Sequence, residues 1–413
     1  MFDFLLTDSQ QSLRDEVRDF VAWVPRDLIL DMDQEKVLFP VEFLQEAGRR
    51  GLLGSRYPKR WGGRDTDWVT TCMAAEEVGT LGLIFGCLFG VGSEVVGEGL
   101  FRHGTDAQRD KYLAPMIAGT KVGAECLTEP RGGSDLFGAT TTAEDRGDHY
   151  VLNGQKRFIV GAEGADHFLV YARTDNRPDT HAHKRLTTLM VERGPGVDVQ
   201  YLYGLLGCRG GGTGRLVFRD VKVPKENVLG EPGGAYAVYE SIMIPERLAT
   251  AAMTLGAARP ALDIATAYTT RRKAFGRPIS QFQGVSFQIA EAVMLLDAAR
   301  ALVYTTARAV DSGQDPARAR RMASETKKFA TETAQKVVHT AMQVVGGIGY
   351  TNVFPLERMY RDMRLASIWT GTNEIMSTII GHEWYRESGA APALRDYEAD
   401  AVNADAADEK VYE

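Results

Sequence analysis

The sequence predicts an α+β fold in which a β-domain lies between two helical domains. Three regions of different hydrophobic pattern along the 413 residues support this prediction. Helical spacing extends to about residue 120, short β-rich runs follow to about 232, and long helical patterns return until about 388. We therefore expect domains at 1–120, 121–233 and 234–388, followed by an acidic tail at 389–413.

The first region contains amphipathic stripes, which predict helices. One stripe near the N-terminus has apolar residues at three- and four-residue spacing, namely Leu13, Val17, Phe20, Val21 and Val24. In a second predicted helix, Cys87, Val91 and Val95 recur every four residues and would share one face. We interpret Glu94 and Glu98, on another face, as solvated. Five glycines between 86 and 99 either widen a cavity beside this helix or only weaken it.

The middle region contains strand and turn signals. HYVLNGQKRFIV has an Asn-Gly pair between two β-rich runs, which predicts a hairpin. GCRGGGTG superficially resembles a phosphate-binding loop, but the strand pattern RLVFRDVKV follows it where a nucleotide-binding motif requires a helix. We interpret it as a turn.

The third region is predicted to be helical. A long pattern from about 247 to 270 contains Pro260, which should kink that helix and free a carbonyl one turn earlier.

Composition excludes several classes of function. A net charge of −7 disfavours nucleic acid as the main partner. No continuous apolar run reaches the roughly 20 residues that span a bilayer, and the first residues are typical of an amphipathic helix. We expect no membrane span and a cytoplasmic location. Four dispersed cysteines and scattered histidines predict neither a disulfide framework nor a metal site.

Four stretches occur together in a specific order: CLTEPRGGSD, YTTRRKAFGRPISQFQ, QVVGGIGY and RLASIWTGTNEIM. With these motifs and spacings, residues 1–388 resemble the acyl-CoA dehydrogenase family. The resemblance implies a helical N-terminal domain, a β-barrel-like middle domain and a C-terminal four-helix bundle. It also implies FAD, an acyl-CoA substrate, a homotetramer and an electron-transfer flavoprotein as electron acceptor.

The resemblance also assigns cofactor-binding roles. The matching positions are Cys126, Leu127, Thr128, Gly133, Ser134, Phe158, Val160, Arg272, Phe275, Gln283, Gln343, Gly346, Gly347, Thr372 and Glu374. Arg272 matches an arginine that holds the FAD pyrophosphate across a subunit interface. Val160 stands where the family has a threonine near flavin N5, which leaves the preferred electron acceptor open.

The catalytic base is implied at an alternative family position. Thr370 replaces the carboxylate that many members carry just before a glycine. Glu246, in a Pro-Glu-Arg-Leu step, matches the base of isovaleryl-CoA and long-chain acyl-CoA dehydrogenases. The resemblance therefore assigns α-proton removal to Glu246 and polarisation of the thioester carbonyl to the Thr370 backbone N–H. The implied substrate-binding positions are Ser134, Cys87, Val91, Val95, Arg247, Trp369 and Gly371.

Three alternatives remain open from the sequence. A flavin monooxygenase or an acyl-CoA oxidase could use the same fold, and a non-catalytic flavoprotein subunit could keep it without the reaction. Glu246 argues against the first and third, whereas Val160 favours the first. The carrier of the thioester, coenzyme A or an acyl-carrier protein, is also open.

Overall fold

The computed structural model describes residues 3–390 and confirms the predicted order of a helical domain, a sheet and a second helical domain. The acidic tail that the sequence predicts lies outside the described residues, apart from the end of the last helix. The N-terminal helices are α1 Asp8–Trp23, α2 Arg26–Asp33, α3 Val41–Arg49, α4 Trp68–Gly79, α5 Leu83–Gly90, α6 Gly97–His103, α7 Asp106–Gln108 and α8 Ala114–Ile117. A capping box fixes the start of α1, because Thr7 and Gln10 exchange hydrogen bonds between side chain and backbone.

The segment that joins α5 to α6 is π-helical, over Val91–Val96. One turn of a π-helix contains more residues than one turn of an α-helix. Residues spaced four apart in the sequence therefore no longer lie on one face of this segment. Val95 is accordingly buried in a different hydrophobic cluster from the one against which Cys87 packs. The predicted shared face of Cys87, Val91 and Val95 is therefore wrong beyond Val91.

The two glutamates of this segment are buried, so the prediction that they are solvated is wrong. Arg56 donates to Glu98 at 2.8 Å and to Glu94 at 3.2 Å, and Arg102 also pairs with Glu98 at 2.8 Å. Both carboxylates are at most 5% exposed. Their partner Arg56 lies about forty residues away in sequence, beyond the reach of any local pattern.

Glycines in α5 and α6 allow close helix packing, a role that was not predicted from the sequence. A Cβ at Gly86 would lie 2.5 Å from the Met253 side chain, and one at Gly99 would lie 3.2 Å from Ile242. Both neighbours belong to the long C-terminal helix α9, Ala235–Arg271. The same helix crosses α4 even more closely, since a Cβ at Gly256 would lie 1.9 Å from the Glu76 backbone oxygen.

The middle domain is one eight-stranded sheet. Its strands are β1 Gly123–Cys126, β2 Thr142–Asp145, β3 His149–Ile159, β4 His167–Arg173, β5 Leu186–Glu192, β6 Val197–Leu202, β7 Gly214–Pro224 and β8 Val228–Leu229. The strand order is β6-β7-β3-β2-β4-β5-β8, and β1 pairs in parallel with β4. The glycine-rich segment before Gly214 is a turn that leads into β7, as predicted.

The predicted hairpin at Asn153 and Gly154 is wrong, because β3 continues through both residues. The strand carries a bulge there, where its register against β7 shifts between Leu152 and Gly154. A type I′ turn requires positive φ at both central residues. Gly154 has φ +147°, but Asn153 does not have positive φ.

The C-terminal domain is a helical bundle. Beside α9 it contains α10 Gln283–Asp311, α11 Pro316–Val345, α12 Leu356–Met363, α13 Asn373–Ala390 and the short strands β9 Lys273–Ala274 and β10 Arg277–Pro278. Helices α9, α10 and α11 pack against one another, and α13 packs against α11. Helix α9 continues through both Pro245 and Pro260. The residue one turn before Pro260 is Gly256, at the close crossing with α4.

One helical segment in the described range, Leu83–His103, is long and apolar enough to cross a membrane. No such segment was expected from the sequence. Its apolar window is 89% buried inside the fold, and it packs against α9 and the sheet. We therefore interpret it as a core helix.

Candidate active site

The side chain of Glu246 lies on α9 and retains some accessible surface inside the fold. Within residues 3–390, no side chain or backbone group forms a hydrogen bond or ion pair with its carboxyl. Burial raises the pKa of Glu246 to about 7, although the positive charges of Arg247 and Lys327 act in the opposite direction. The result is a carboxyl group that is free to accept a proton near neutral pH.

The turn at Thr370 and Gly371 has positive φ at both residues, +54° and +80°. Lys327, on α11, holds this turn by donating to the Gly371 carbonyl at 2.8 Å and to Asn373 Oδ1 at 2.9 Å. The backbone N–H groups of Thr370 and Gly371 donate to none of the described residues. This backbone therefore offers two free donors beside a positively charged side chain.

Polar atoms without partners surround this turn. Thr370 Oγ1, Trp369 Nε1 and Arg247 Nε are all buried and make no hydrogen bond with a described residue. Among residues 3–390, the Arg247 guanidinium hydrogen-bonds only to Ser324, from Nη1 to Oγ at 3.2 Å. Because buried polar groups are normally paired, such a cluster is typical of a ligand site.

Cys87 interacts electrostatically with the Glu246 carboxyl. Burial, with the charge of Glu246, raises the pKa of the Cys87 thiol to about 12, which keeps it neutral. Val91 keeps some exposure in the first π-helical position, whereas Val95 is buried. The structure thus places Cys87 within electrostatic reach of Glu246, whereas Val95 is buried in a cluster with Ile242 and Met243 of α9.

Three residues of this recess were not predicted from the sequence: Lys327, Glu125 and Tyr239. Charge interactions link all three to Glu246. Burial lowers the pKa of Lys327 to about 8, while Glu246 opposes that shift. A signal existed for Lys327, since it lies on the buried stripe of α11 with Ala323, Ala330 and Ala334. Glu125 was also detectable, as the one charged residue in VGAECL.

The loop after β1 is held by a buried ion pair. Lys156 Nζ lies 2.8 Å from Glu129 Oε1 and donates to the Leu127 carbonyl at 3.2 Å. Beyond this anchor the loop is open, with Gly133 and Ser134 exposed and Thr128 partly exposed. Cys126 is buried inside β1, so only its backbone is available to a ligand.

The exposed ring of Phe158 is suited to cover a planar ring of a ligand. It has φ +58° and remains 49% exposed, with its ring 4.7 Å from that of Tyr203. Val160, two residues later, packs against the main core. An exposed aromatic face beside an open glycine loop fits the flavin part of FAD.

Two expected cofactor residues lie at the start of α13. Thr372 Oγ1 accepts from the Ile375 amide at 3.3 Å, so this hydroxyl also caps the helix. Glu374 is exposed in the first turn.

The remaining expected cofactor residues lie on the surface of the C-terminal domain. All of them are exposed, namely Arg272, Phe275, Gln283, Gln343, Gly346 and Gly347. Phe275 is 94% exposed at φ +50°, and the Arg272 guanidinium pairs with no described residue. A phenyl ring so exposed fits a residue that contacts a molecule beyond this chain.

No group of three metal-ligating side chains occurs in the part of the chain that the structure describes. All four cysteines are free thiols.

Sequence models of one family match nearly the whole chain. The acyl-CoA dehydrogenase N-terminal domain model matches residues 7–120, the middle domain model 124–221 and the C-terminal domain model 233–384.

Curated relatives cover the same range. A 3-(aryl)acrylate reductase of Clostridium sporogenes is 36% identical over 91% of this chain and 98% of its own. A short-chain specific acyl-CoA dehydrogenase of Clostridium acetobutylicum is 35% identical over 93% and 100%, respectively. A caffeyl-CoA reductase–Etf complex subunit of Acetobacterium woodii is 35% identical over 91% and 97%.

Solved structures share this fold. Butyryl-CoA dehydrogenase of Megasphaera elsdenii has a TM-score of 0.87 at 32% identity, covering 92% of this chain and 99% of its own. A complex of the protein PigA with FAD also has a TM-score of 0.87, at 26% identity and the same coverage.

Proposed function

The chain belongs to the acyl-CoA dehydrogenase family and is an FAD-dependent oxidoreductase, and from this premise we propose that Glu246 is its catalytic base. The proposed reaction is the α,β-dehydrogenation of a saturated acyl-CoA to the trans-2-enoyl-CoA. The observation that carries the proposal is the unpaired Glu246 carboxyl, with its pKa raised to about 7, in the same recess as the Thr370 turn.

Removing a proton from the α-carbon of a thioester requires a base that is ionised yet strongly basic. A solvated glutamate is ionised at pH 7 but is a weak base, because its pKa is near 4.3. Burial of Glu246 makes it more basic, while Arg247 and Lys327 keep a substantial fraction ionised. These opposing effects suit general-base catalysis near neutral pH.

The negative charge that develops on the thioester oxygen needs donors that are already oriented. The free N–H groups of Thr370 and Gly371 supply such donors without any contribution from a side chain. Lys327 fixes the carbonyl side of the same turn, so the donors need not reorganise when charge develops. A threonine at position 370 can therefore keep the oxyanion role.

The chain's own residues would hold FAD in two groups. In the proposed arrangement, the 126–134 loop and Phe158 contact the flavin half, while the exposed residues from Arg272 to Gly347 serve the pyrophosphate and adenine half of a neighbouring subunit. When bound, FAD supplies the acceptor for the β-hydride. This arrangement requires a homotetramer. The proposal is supported by apolar or aromatic side chains that are exposed on the C-terminal domain, namely Phe275, Phe287, Met294 and Tyr350.

Replacing Glu246 with glutamine tests the base directly. Glu246→Gln preserves size but cannot accept the α-proton, so turnover should fall by about 10²- to 10⁴-fold. FAD content and binding of a non-reacting acyl-CoA analogue should stay close to the wild type. Glu240→Gln is the matched control, since Glu240 is exposed on the same helix. Near-normal turnover in Glu246→Gln would contradict the assignment.

A double variant tests whether carboxylates at positions 246 and 370 can reach the same α-carbon of the substrate. Adding Thr370→Glu to Glu246→Gln should restore part of the activity, because a carboxylate at 370 would enter the same recess. Recovery should be incomplete, since Trp369 and Arg247 pack around a smaller side chain. No recovery, with analogue binding intact, would show that the two positions do not approach one α-carbon.

The electron acceptor and the acyl group are further parts of the proposal. An electron-transfer flavoprotein is the proposed acceptor, supported by the relative named as part of an Etf complex. Two relatives are named as reductases, so the direction of hydrogen transfer needs its own test. Anaerobic bleaching of the flavin by saturated acyl-CoAs, compared with re-oxidation by enoyl-CoAs, determines the favoured direction. A cytoplasmic location completes the proposal.

Oxygen reactivity separates this proposal from an oxidase or monooxygenase. Val160 lacks the hydroxyl that family members place near flavin N5. Val160→Thr should therefore change how fast the reduced enzyme reacts with oxygen and with its acceptor. Identical kinetics in both proteins would show that this side chain has no influence.

The interface role of Arg272 has its own test. Arg272→Ala should weaken FAD retention, because a guanidinium paired with a pyrophosphate is difficult to replace. Truncating one partner of such a pair commonly costs about 2 kcal/mol or more. FAD retention equal to the wild type, measured by gel filtration and flavin absorbance, would contradict the assigned role.

A further inference from the structure

The recess beside Glu246 contains a second carboxyl group that the proposed reaction does not use. Glu125 lies on β1, and the Tyr171 hydroxyl donates to its Oε1 at 3.0 Å. Among the described residues, Glu125 has no other hydrogen-bond or ion-pair partner. One carboxyl oxygen is thus fixed by Tyr171, and the other is free.

The contacts of Glu125 place this carboxyl beside the part of α9 that carries Glu246, because its partner Tyr171 packs against Tyr239 on that helix. Burial, reinforced by the charge of Glu246, raises the pKa of Glu125 to about 8, so the two groups lie within electrostatic reach. Tyr171 packs edge-on to Tyr239 at 6.5 Å, and Leu127 joins both rings in one hydrophobic cluster. Glu125, Leu127 and Tyr239 each keep some exposed surface, although Tyr171 behind them is fully buried.

The position of Glu125 is costly if the substrate is a plain hydrocarbon chain. Only one oxygen of the Glu125 carboxyl is hydrogen-bonded to a described residue, and an apolar ligand would remove the water that reaches the other oxygen, which is destabilising. Leucine or valine would be more stable in a strand as apolar as VGAECL. A partner on the substrate would offset this cost.

We propose that the substrate acyl group carries a hydrogen-bonding substituent, a hydroxyl or an amine, beyond its β-carbon, and that Glu125, oriented by Tyr171, binds it. This inference rests on the proposed dehydrogenase function and specifies its substrate class. The free Glu125 oxygen pairs with the substituent, while Leu127 and Tyr239 pack against the carbon chain.

The experiment compares matched acyl-CoAs of increasing chain length. Each length is offered unsubstituted, with a terminal hydroxyl, and with a terminal dimethylamino group that cannot close to a lactam. We expect kcat/KM of the wild type to favour one substituted series by roughly tenfold or more, because unpaired buried polar groups discriminate strongly. Glu125→Leu should reverse this preference, and Glu144→Leu, at an exposed position on strand β2 of the same sheet, should leave it unchanged.

Two further variants identify the substituent and guard against misfolding. Glu125→Gln should keep the preference for a hydroxyl but lose that for an amine, since glutamine cannot release a proton to pair with an ammonium group. Tyr171→Phe should reduce the preference without abolishing it, because the carboxyl remains. If the wild type prefers neither substituted series, or if Glu125→Leu keeps the wild-type preference at every chain length, the inference is wrong.

A binding measurement separates this inference from the proposed reaction. Non-reacting thioether analogues of the same three series can be titrated into Glu246→Gln, with flavin absorbance as the signal. A preference for substituted analogues supports the role of Glu125 even if no acyl-CoA bleaches the flavin, an outcome that would contradict only the dehydrogenation. Bleaching without any preference in rate or binding would overturn only the inference.

Discussion

The loop anchored by Glu129 and the recess around Glu246 each contain a carboxyl group within the fold, with opposite surroundings. Glu129 Oε1 accepts from Lys156 and the Thr141 amide, and Oε2 accepts from Thr140. Although burial acts to raise it, the Lys156 charge and these hydrogen bonds lower the pKa of Glu129 to about 2. Glu246 has no such partner among the described residues, and its pKa rises to about 7. A satisfied carboxylate stabilises the fold, whereas an unsatisfied one is available for chemistry.

The largest expected effect is the loss of stability when the satisfied group is removed. Glu129→Gln leaves Lys156 buried without a counter-charge, which should lower the free energy of unfolding by about 3–5 kcal/mol. Chemical denaturation of the holoenzyme measures this free energy. Glu144→Gln is the control and should change the free energy of unfolding by less than about 0.5 kcal/mol. A Glu129 variant as stable as the wild type would remove the contrast between the two sites.

Removing the unpaired Glu246 carboxyl should instead increase the free energy of unfolding at neutral and higher pH. The pKa of Glu246 is higher in the folded state than its ordinary 4.5, so its contribution to stability is present at low pH and is lost as pH rises through about 7. Glu246→Gln should therefore match the wild type near pH 4.5 and be more stable at pH 8, by at most about 3 kcal/mol. Melting temperature against pH, for both proteins, shows whether the two curves diverge.

The pH dependence of Glu129 should be the mirror image. Its folded pKa is depressed, so its stabilisation is present above pH 4.5 and is lost as pH falls through about 2. The difference between wild type and Glu129→Gln should accordingly shrink in acid. A difference that stays constant down to pH 2 would mean that charge is not what stabilises this pair.

The smallest expected effect concerns the two carboxyl groups in the recess. Activity should rise with pH as Glu246 ionises, with a midpoint near 7. The pKa of Glu125 is about 8, so this carboxyl is largely protonated while Glu246 ionises, and Glu125→Gln should shift the midpoint only slightly, to lower pH. A shift to higher pH in the kcat profile would contradict the proximity of the two groups.

The order of the domains was predictable because helices and strands impose different hydrophobic periods on the sequence. The errors occurred where a long-range contact overrode a local signal. Asn153 and Gly154 form a bulge because β7 pairs on both sides of them. Glu94 and Glu98 are buried because Arg56 neutralises them from a distant part of the chain.

The candidate site was predictable only in part, for a similar reason. Glu246 and the Thr370 turn lie in motifs that identify the family, and their local sequence is sufficient. Lys327 and Glu125 lie in no motif, and their roles depend on which helix and strand face the recess. A charged residue on an otherwise apolar stripe was the one available signal for both.

The close crossing of α4 and α9 has a consequence for motion. Besides the contact at Gly256, a Cβ at Gly79 would lie 2.3 Å from the Met253 backbone oxygen, so the two backbones nearly touch at two points. Glu76, at the same crossing, is hydrogen-bonded to Arg300 at 2.7 Å and to Tyr304 at 3.1 Å. Such contacts leave no room for a hinge between the two helical domains, and they should move as one rigid body. For the proposed reaction, substrate entry and product release would then depend on displacements of the β-domain or of the turn at Thr370.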